Sequence, residues 1–119
     1  MINENSTKEQ VLEAVRQRGY ALEYASAELR ADKEVVMAAV RANGSALEFA
    51  SDKLRNDFEV VLVAVKQHGW ALDYASDELK GNLDVVIAAA MDTSYSLKYA
   101  HESLRYDKEI IDYAIGLKS

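Results

Sequence analysis

The chain has 119 residues, 20 acidic and 14 basic side chains, a formal net charge of -6, and neither cysteine nor proline. Such a length fits one domain, able to bury about two thirds of the surface its unfolded chain exposes. The missing cysteines exclude a disulfide framework, a thiolate metal site and a cysteine nucleophile, and the scattered basic residues offer nucleic acid or an anionic membrane no positive patch.

In chain order a polar tail, residues 1–7, comes first, without the basic start and apolar core of an export signal. Uncharged apolar stretches are only a few residues long, far short of the roughly 20 that span a bilayer, so a cytoplasmic protein is expected. A starting helix is predicted over 8–19, opened by Thr7 with Gln10 three residues on. Thr7 lies 25 residues before Asp32 (32 − 7), and the same interval governs the rest of the chain. Gly19, Gly44 and Gly69 recur at it (44 − 19, 69 − 44), with Ser94 in the fourth slot. Leu22, Leu47, Leu72 and Leu97 keep phase, as do Tyr24, Phe49, Tyr74 and Tyr99, and then Leu29, Leu54, Leu79 and Leu104. Four repeats follow the starting helix, 20–44, 45–69, 70–94 and 95–119, in a single domain over 1–119.

Each repeat is predicted to hold two short helices. Positions 22, 25 and 29 fall at i, i+3 and i+7, one face of a first helix. Val35, Val36, Ala39 and Val40 make a broad apolar arc on a second. Asp32, Asp57, Asn82 and Asp107 sit where a cap must accept the free N–H groups of that second helix. The glycines are expected to end it through positive φ, and Ser45 with Glu48 to cap the next first helix as a box. Leucine-rich repeats share the period, but their alternating leucines are absent here. The predicted fold is all-α: one starting helix plus four stacked hairpins, forming a short solenoid or a compact helical array.

Catalytic chemistry has no foothold in this pattern. The periodic acids are accounted for as caps and solvated helix positions, and single glycines every 25 residues do not make a phosphate loop. His68 and His101 are 33 apart (101 − 68), without metal-ligand spacing. No enzyme, metal or cofactor is expected.

A repeat scaffold leaves its departures free to specify a partner. Slot 33 reads Lys33, Phe58, Leu83 and Lys108, and four residues on stand Met37, Leu62, Ile87 and Asp112. Since i and i+4 adjoin on a helix, Met37, Phe58, Leu62, Leu83 and Ile87 form a candidate apolar patch with a charged border; the same side chains also suit the space between helix layers. A second candidate is the row Tyr20, Ser45, Trp70 and Tyr95, where tyrosine and tryptophan are suited either to a binding hot spot or to stapling the turn between helices. Tyr106, Met91 and Tyr113 depart from the pattern in or beside the last unit, as a terminal cap or a homodimer contact would require.

The unit ALEYAS-x-ELR-x-DKEVV-x-AAV from Ala21 to Val40, seen again as ALEFASDKLRNDFEVVLVAV from Ala46 to Val65, resembles an uncharacterised domain-of-unknown-function helical repeat of Legionella effectors and of protist and algal proteins. The resemblance spans nearly the whole chain, is specific for the repeat, and transfers no site residue. A small chain made almost wholly of these units is also similar to the Legionella effector inhibitors that bind ubiquitin-deamidating, transglutaminase-like effectors. That similarity implies a protein partner of this kind, met in the host cytoplasm after translocation. The alternative is a self-associating structural protein, a homodimer without inhibitory activity.

Overall fold

Thr7 starts the first helix with a reciprocal cap: its hydroxyl accepts the Gln10 N–H at 3.2 Å, and the Gln10 side chain accepts the Thr7 N–H at 2.9 Å. The computed structural model describes residues 1–105, 107 and 110. Its helices are α1 (Lys8–Gln17), α2 (Ala27–Arg30), α3 (Lys33–Ala42), α4 (Asp52–Arg55), α5 (Phe58–Gln67), α6 (Asp77–Lys80), α7 (Leu83–Asp92) and α8 (Glu102–Arg105). Six-residue 3₁₀ segments, Gly19–Tyr24, Gly44–Phe49, Gly69–Tyr74 and Ser94–Tyr99, precede α2, α4, α6 and α8. The architecture is all-α, and no strand occurs among the described residues.

The long helices begin where the caps are predicted. Asp32 accepts from Glu34 and Val35, Asp57 from Val60, and Asn82 from Val85, at 3.0 to 3.3 Å. Asp107 accepts the Ile110 N–H at 3.3 Å, and Ile110 is buried. The expected last helix otherwise lies outside the described residues, as do Tyr106, Lys108, Ile111, Asp112 and Tyr113.

Three expectations need correction. The first helix of each repeat is not one α-helix but a 3₁₀ segment and a single α-turn, separated by two extended residues such as Ala25 (φ -74, ψ 161) and Ser26 (φ -61, ψ 159). Ser26, Ser51 and Ser76 break the helix by offering a cap of their own, each accepting the N–H three residues on at 3.2 to 3.3 Å. Leu22, inside the 3₁₀ segment, and Ala25, just after it, are both buried all the same.

The glycines, secondly, do not end helices through positive φ. The long helices end in extended residues, Arg18, Asn43, His68 and Thr93. Glycine is required for close approach instead: a Cβ on Gly19 or Gly69 would lie 2.5 Å from the carbonyl oxygen of Ala39 or Ala89 in the next unit, and one on Gly44 would meet Ala64 in the same way. Thirdly, Asn43, not Ser45, caps its 3₁₀ segment, accepting the Ser45 N–H at 2.9 Å.

Helices α1, α3, α5 and α7 pack side by side in one layer, and the 3₁₀ segments stack in another. Between them lies a continuous core that includes Val15, Leu22, Val36, Leu47, Val61, Leu72 and Val86, all fully buried. One backbone bond stitches each short-helix junction: Ser51 to the Arg30 carbonyl, Ser76 to Arg55 and His101 to Lys80, at 2.8 to 2.9 Å. The extents, 48 × 23 × 18 Å, are those of an elongated stack.

Charge reinforces the first two joints. Lys8 pairs with Asp32 at 3.0 Å and Glu34 at 2.9 Å, and Lys33 repeats this with Asp57 and Glu59. Burial pushes the Asp32 carboxyl up, but the Lys8 ammonium and the N–H groups of Val35 and Glu34 outweigh it and hold the carboxyl below its ordinary 3.8. Asp57 is lowered in the same balance by the Val60 N–H and Lys33. A lowered folded value means that the stability from these caps is complete above pH 3.8 and is lost as pH falls through the lower folded value. Joint replacement Asp32→Asn and Asp57→Asn keeps the capping oxygens but removes the charge. The double variant is expected to lose less melting temperature than the wild type between about pH 5 and about pH 2; equal losses would exclude this origin for the acid sensitivity.

Candidate partner-binding face

The slot that holds Lys8 and Lys33 holds Phe58 and Leu83 in the next units. Phe58 is 43% exposed and Leu83 40%. The cap opposite Phe58 changes with it, from aspartate to Asn82, which keeps the oxygen for Val85 without leaving a carboxylate lacking its lysine. Leu62 and Ile87 are half-buried, and Ile87 packs on the core. Met37 does not join the surface: only 7% exposed, it is a core residue whose unbranched side chain fills space within the helix layer. The predicted ridge therefore contracts to Phe58 and Leu83, with Leu62 and Ile87 as its partly covered flank.

The 3₁₀ layer carries the second row. Residues three apart eclipse in a 3₁₀ helix, which aligns Tyr20 with Glu23, Ser45 with Glu48, Trp70 with Asp73 and Tyr95 with Lys98 along one edge. Tyr20, Trp70 and Tyr95 are exposed, Trp70 by 51% and Tyr95 by 74%, while Ser45 is half-buried. Tyr20 meets Phe49 of the next unit edge-on, centroids 6.0 Å apart and planes at 77°, a favoured aromatic geometry. Burial pushes the Tyr74 hydroxyl up, and the Glu48 carboxylate, which accepts its hydrogen bond, pushes it further. The Lys98 ammonium lies 5.6 Å from the Trp70 ring centre and 5.0 Å from that of Tyr99, within cation–π range.

Sequence reasoning missed part of this face. Tyr24, one of the aromatics that keep the 25-residue phase, is exposed, and Phe49, Tyr74 and Tyr99 are only half-buried. The 25-residue recurrence of an aromatic immediately after Glu23, Glu48, Asp73 and Lys98 was the available signal, hidden by reading an α-period where the backbone is 3₁₀. At the N-terminal end Tyr20, Glu23 and Tyr24 help line a groove of about 690 Å³ against Ala14, Arg18 and Ile2.

The 25-residue unit is matched by a known family model. Two overlapping matches to Domain of unknown function (DUF4116) cover residues 7–55 and 32–80, displaced by 25 residues (32 − 7). The chain belongs to the DUF4116 family. No curated protein and no solved structure matches it. The first match begins at the Thr7 cap and the second at the Asp32 cap, and each spans two successive units of a long helix, the 3₁₀ segment and the short helix that follow it.

Other polar groups in this DUF4116 chain serve the scaffold. His101 stands in the capping-serine slot, where its Nδ1 accepts the Ser103 N–H at 3.2 Å and lies 2.8 Å from the Ser103 hydroxyl. Asp92 accepts the Gly69 N–H at 2.8 Å, and Gln67 donates to the Arg41 carbonyl at 2.8 Å, both across unit joints. Among the described residues no group of three or more His, Cys, Asp or Glu could hold a metal ion, and no helix is long and apolar enough to cross a membrane.

Proposed function

We propose that the chain is a non-enzymatic protein-binding module that occludes its partner. The observation that carries this is the row of exposed aromatics on the 3₁₀ layer, Tyr20, Trp70 and Tyr95, on a scaffold whose cap carboxylates Asp32 and Asp57 are engaged by helix N–H groups and lysines. Rigid aromatics with apolar area and a polar edge concentrate binding energy at small interfaces. The resemblance to Legionella effector inhibitors sharpens the partner to a ubiquitin-deamidating, transglutaminase-like effector, encountered in the host cytoplasm. The double variant Trp70→Ala with Tyr95→Ala is expected to melt as the wild type does, yet to weaken capture of such an effector and its inhibition at least tenfold, by about 1.4 kcal/mol or more. Undiminished inhibition by the variant overturns the assignment to this face.

The exposed Phe58 and Leu83 support a second reading, in which the helix layer pairs with another copy of the chain. Sedimentation of the wild type against Phe58→Asp with Leu83→Asp separates the two: a homodimer seam requires the variant to halve its mass, whereas the occluding module requires the mass to stay the same.

A further inference from the structure

The aromatic edge carries a pattern of charge. The residue three after its first position is Glu23, Glu48 and Asp73 in successive units, then Lys98 in the fourth. All four are exposed. Where the acid has been replaced, the substituting ammonium does not stand away from the layer but lies over Trp70 and Tyr99. The fourth unit therefore shows what the face accepts: a cation over its rings, supplied there by the chain itself. The units before it present the rings beside carboxylates and supply no cation in that slot.

We infer that the 3₁₀ face docks an extended basic segment of a partner protein, whose arginine or lysine side chains lie over the rings and reach the carboxylates of Glu23, Glu48 and Asp73. The inference rests on the protein-binding reading of this face and adds the partner's chemistry. Charge complementarity favours it, because the chain is net acidic at -6 and the row places one carboxylate in each of its first three units. The spacing suits an extended chain: packed helices, and with them successive units, usually lie about 8 to 10 Å apart, and three residues of extended backbone span about 10 Å. The segment accordingly carries basic residues three apart, and the groove beside Tyr20, Glu23 and Tyr24 takes one end of it. Lys98 occupies the other end and marks where the cationic positions stop.

Trp70 is the chain's single tryptophan, so its fluorescence reports directly on the face. The probe is a synthetic nonapeptide, Arg-Ser-Ala repeated three times, compared with one having glutamate for arginine and one of the same composition with its arginines adjacent. The spaced basic peptide is expected to shift Trp70 emission, with an affinity that falls as salt rises, while the acidic peptide gives no response and the clustered one binds several-fold more weakly. By calorimetry, Glu48→Gln with Asp73→Asn should weaken binding about fivefold, and Lys98→Ala should tighten it about threefold by clearing Trp70. Circular dichroism melts of both variants check that the stack is intact. Equal response to the acidic and basic peptides, no response to the basic peptide, or affinities unmoved by both variants overturns the inference. Failure of the two readings looks different. If effector capture needs Trp70 and Tyr95 but is untouched by Glu48→Gln with Asp73→Asn, the face is a protein-binding site and the basic segment is wrong. If Trp70→Ala with Tyr95→Ala leaves capture intact, the protein-binding reading itself falls.

Discussion

Gly44→Ala is expected to cost about 3 kcal/mol, lowering the melting temperature by about 12 °C in a domain of this size. The added methyl group would strike the carbonyl oxygen of Ala64, with the Ala64 carbon at 3.1 Å and the His68 nitrogen at 3.3 Å behind it. All three are backbone atoms of the adjoining unit, so no rotamer change relieves the clash and the units must move apart. Gly81→Ala is the internal control. Its methyl would meet the Glu78 oxygen at 3.5 Å and the His101 Cβ at 3.6 Å, ordinary contacts, in a conformation (φ -101, ψ 5) nearly the same as that of Ala31 one half-stack away (φ -104, ψ 4). That substitution is expected to stabilise by about 0.5 kcal/mol through the lost freedom of the unfolded chain. Thermal melts that place the two variants together would show that conformational freedom, not close approach, explains Gly44.

The second large effect belongs to the leucine ladder. Leu47 is fully buried, on a 3₁₀ segment flanked by those of the units before and after it. Leu47→Ala is expected to cost about 3 to 4 kcal/mol, since walls fixed by two neighbouring units close only partly over the void. Leu97, the corresponding residue of the last described segment, is half-buried, and Leu97→Ala should cost about half as much. Urea midpoints check the ordering. In a stack where each unit is held by its neighbours, the cost should depend on position along the stack, and equal costs would contradict it.

The long helices were the most legible elements because their signals are local. An N-cap oxygen acts on N–H groups two or three residues away, so Thr7, Asp32, Asp57, Asn82 and Asp107 reveal helix starts without knowledge of anything distant. The valine pairs Val35-Val36, Val60-Val61 and Val85-Val86, three and four residues after their caps, were equally plain as core. The serines at 26, 51 and 76 carry the same capping chemistry, yet they stand inside an apolar period that also fits a continuous helix, and the break they make was overlooked. The candidate surface was partly legible for the same reason. Tyr20, Trp70 and Tyr95 stood out as departures at one slot, but Tyr24 depends on how the backbone turns, and Met37 on how neighbouring helices close over it.

The amino-acid order determined the period, the all-α class, the helix starts and the alternation of apolar with charged slots, because each follows from interactions within a few residues of chain. Only the tertiary structure decided why three glycines are required, which aromatics reach the surface, and that Lys98 lies over Trp70. Those depend on carbonyls, rings and charges 20 or more residues away in sequence, brought together when one unit's backbone comes to rest on the next.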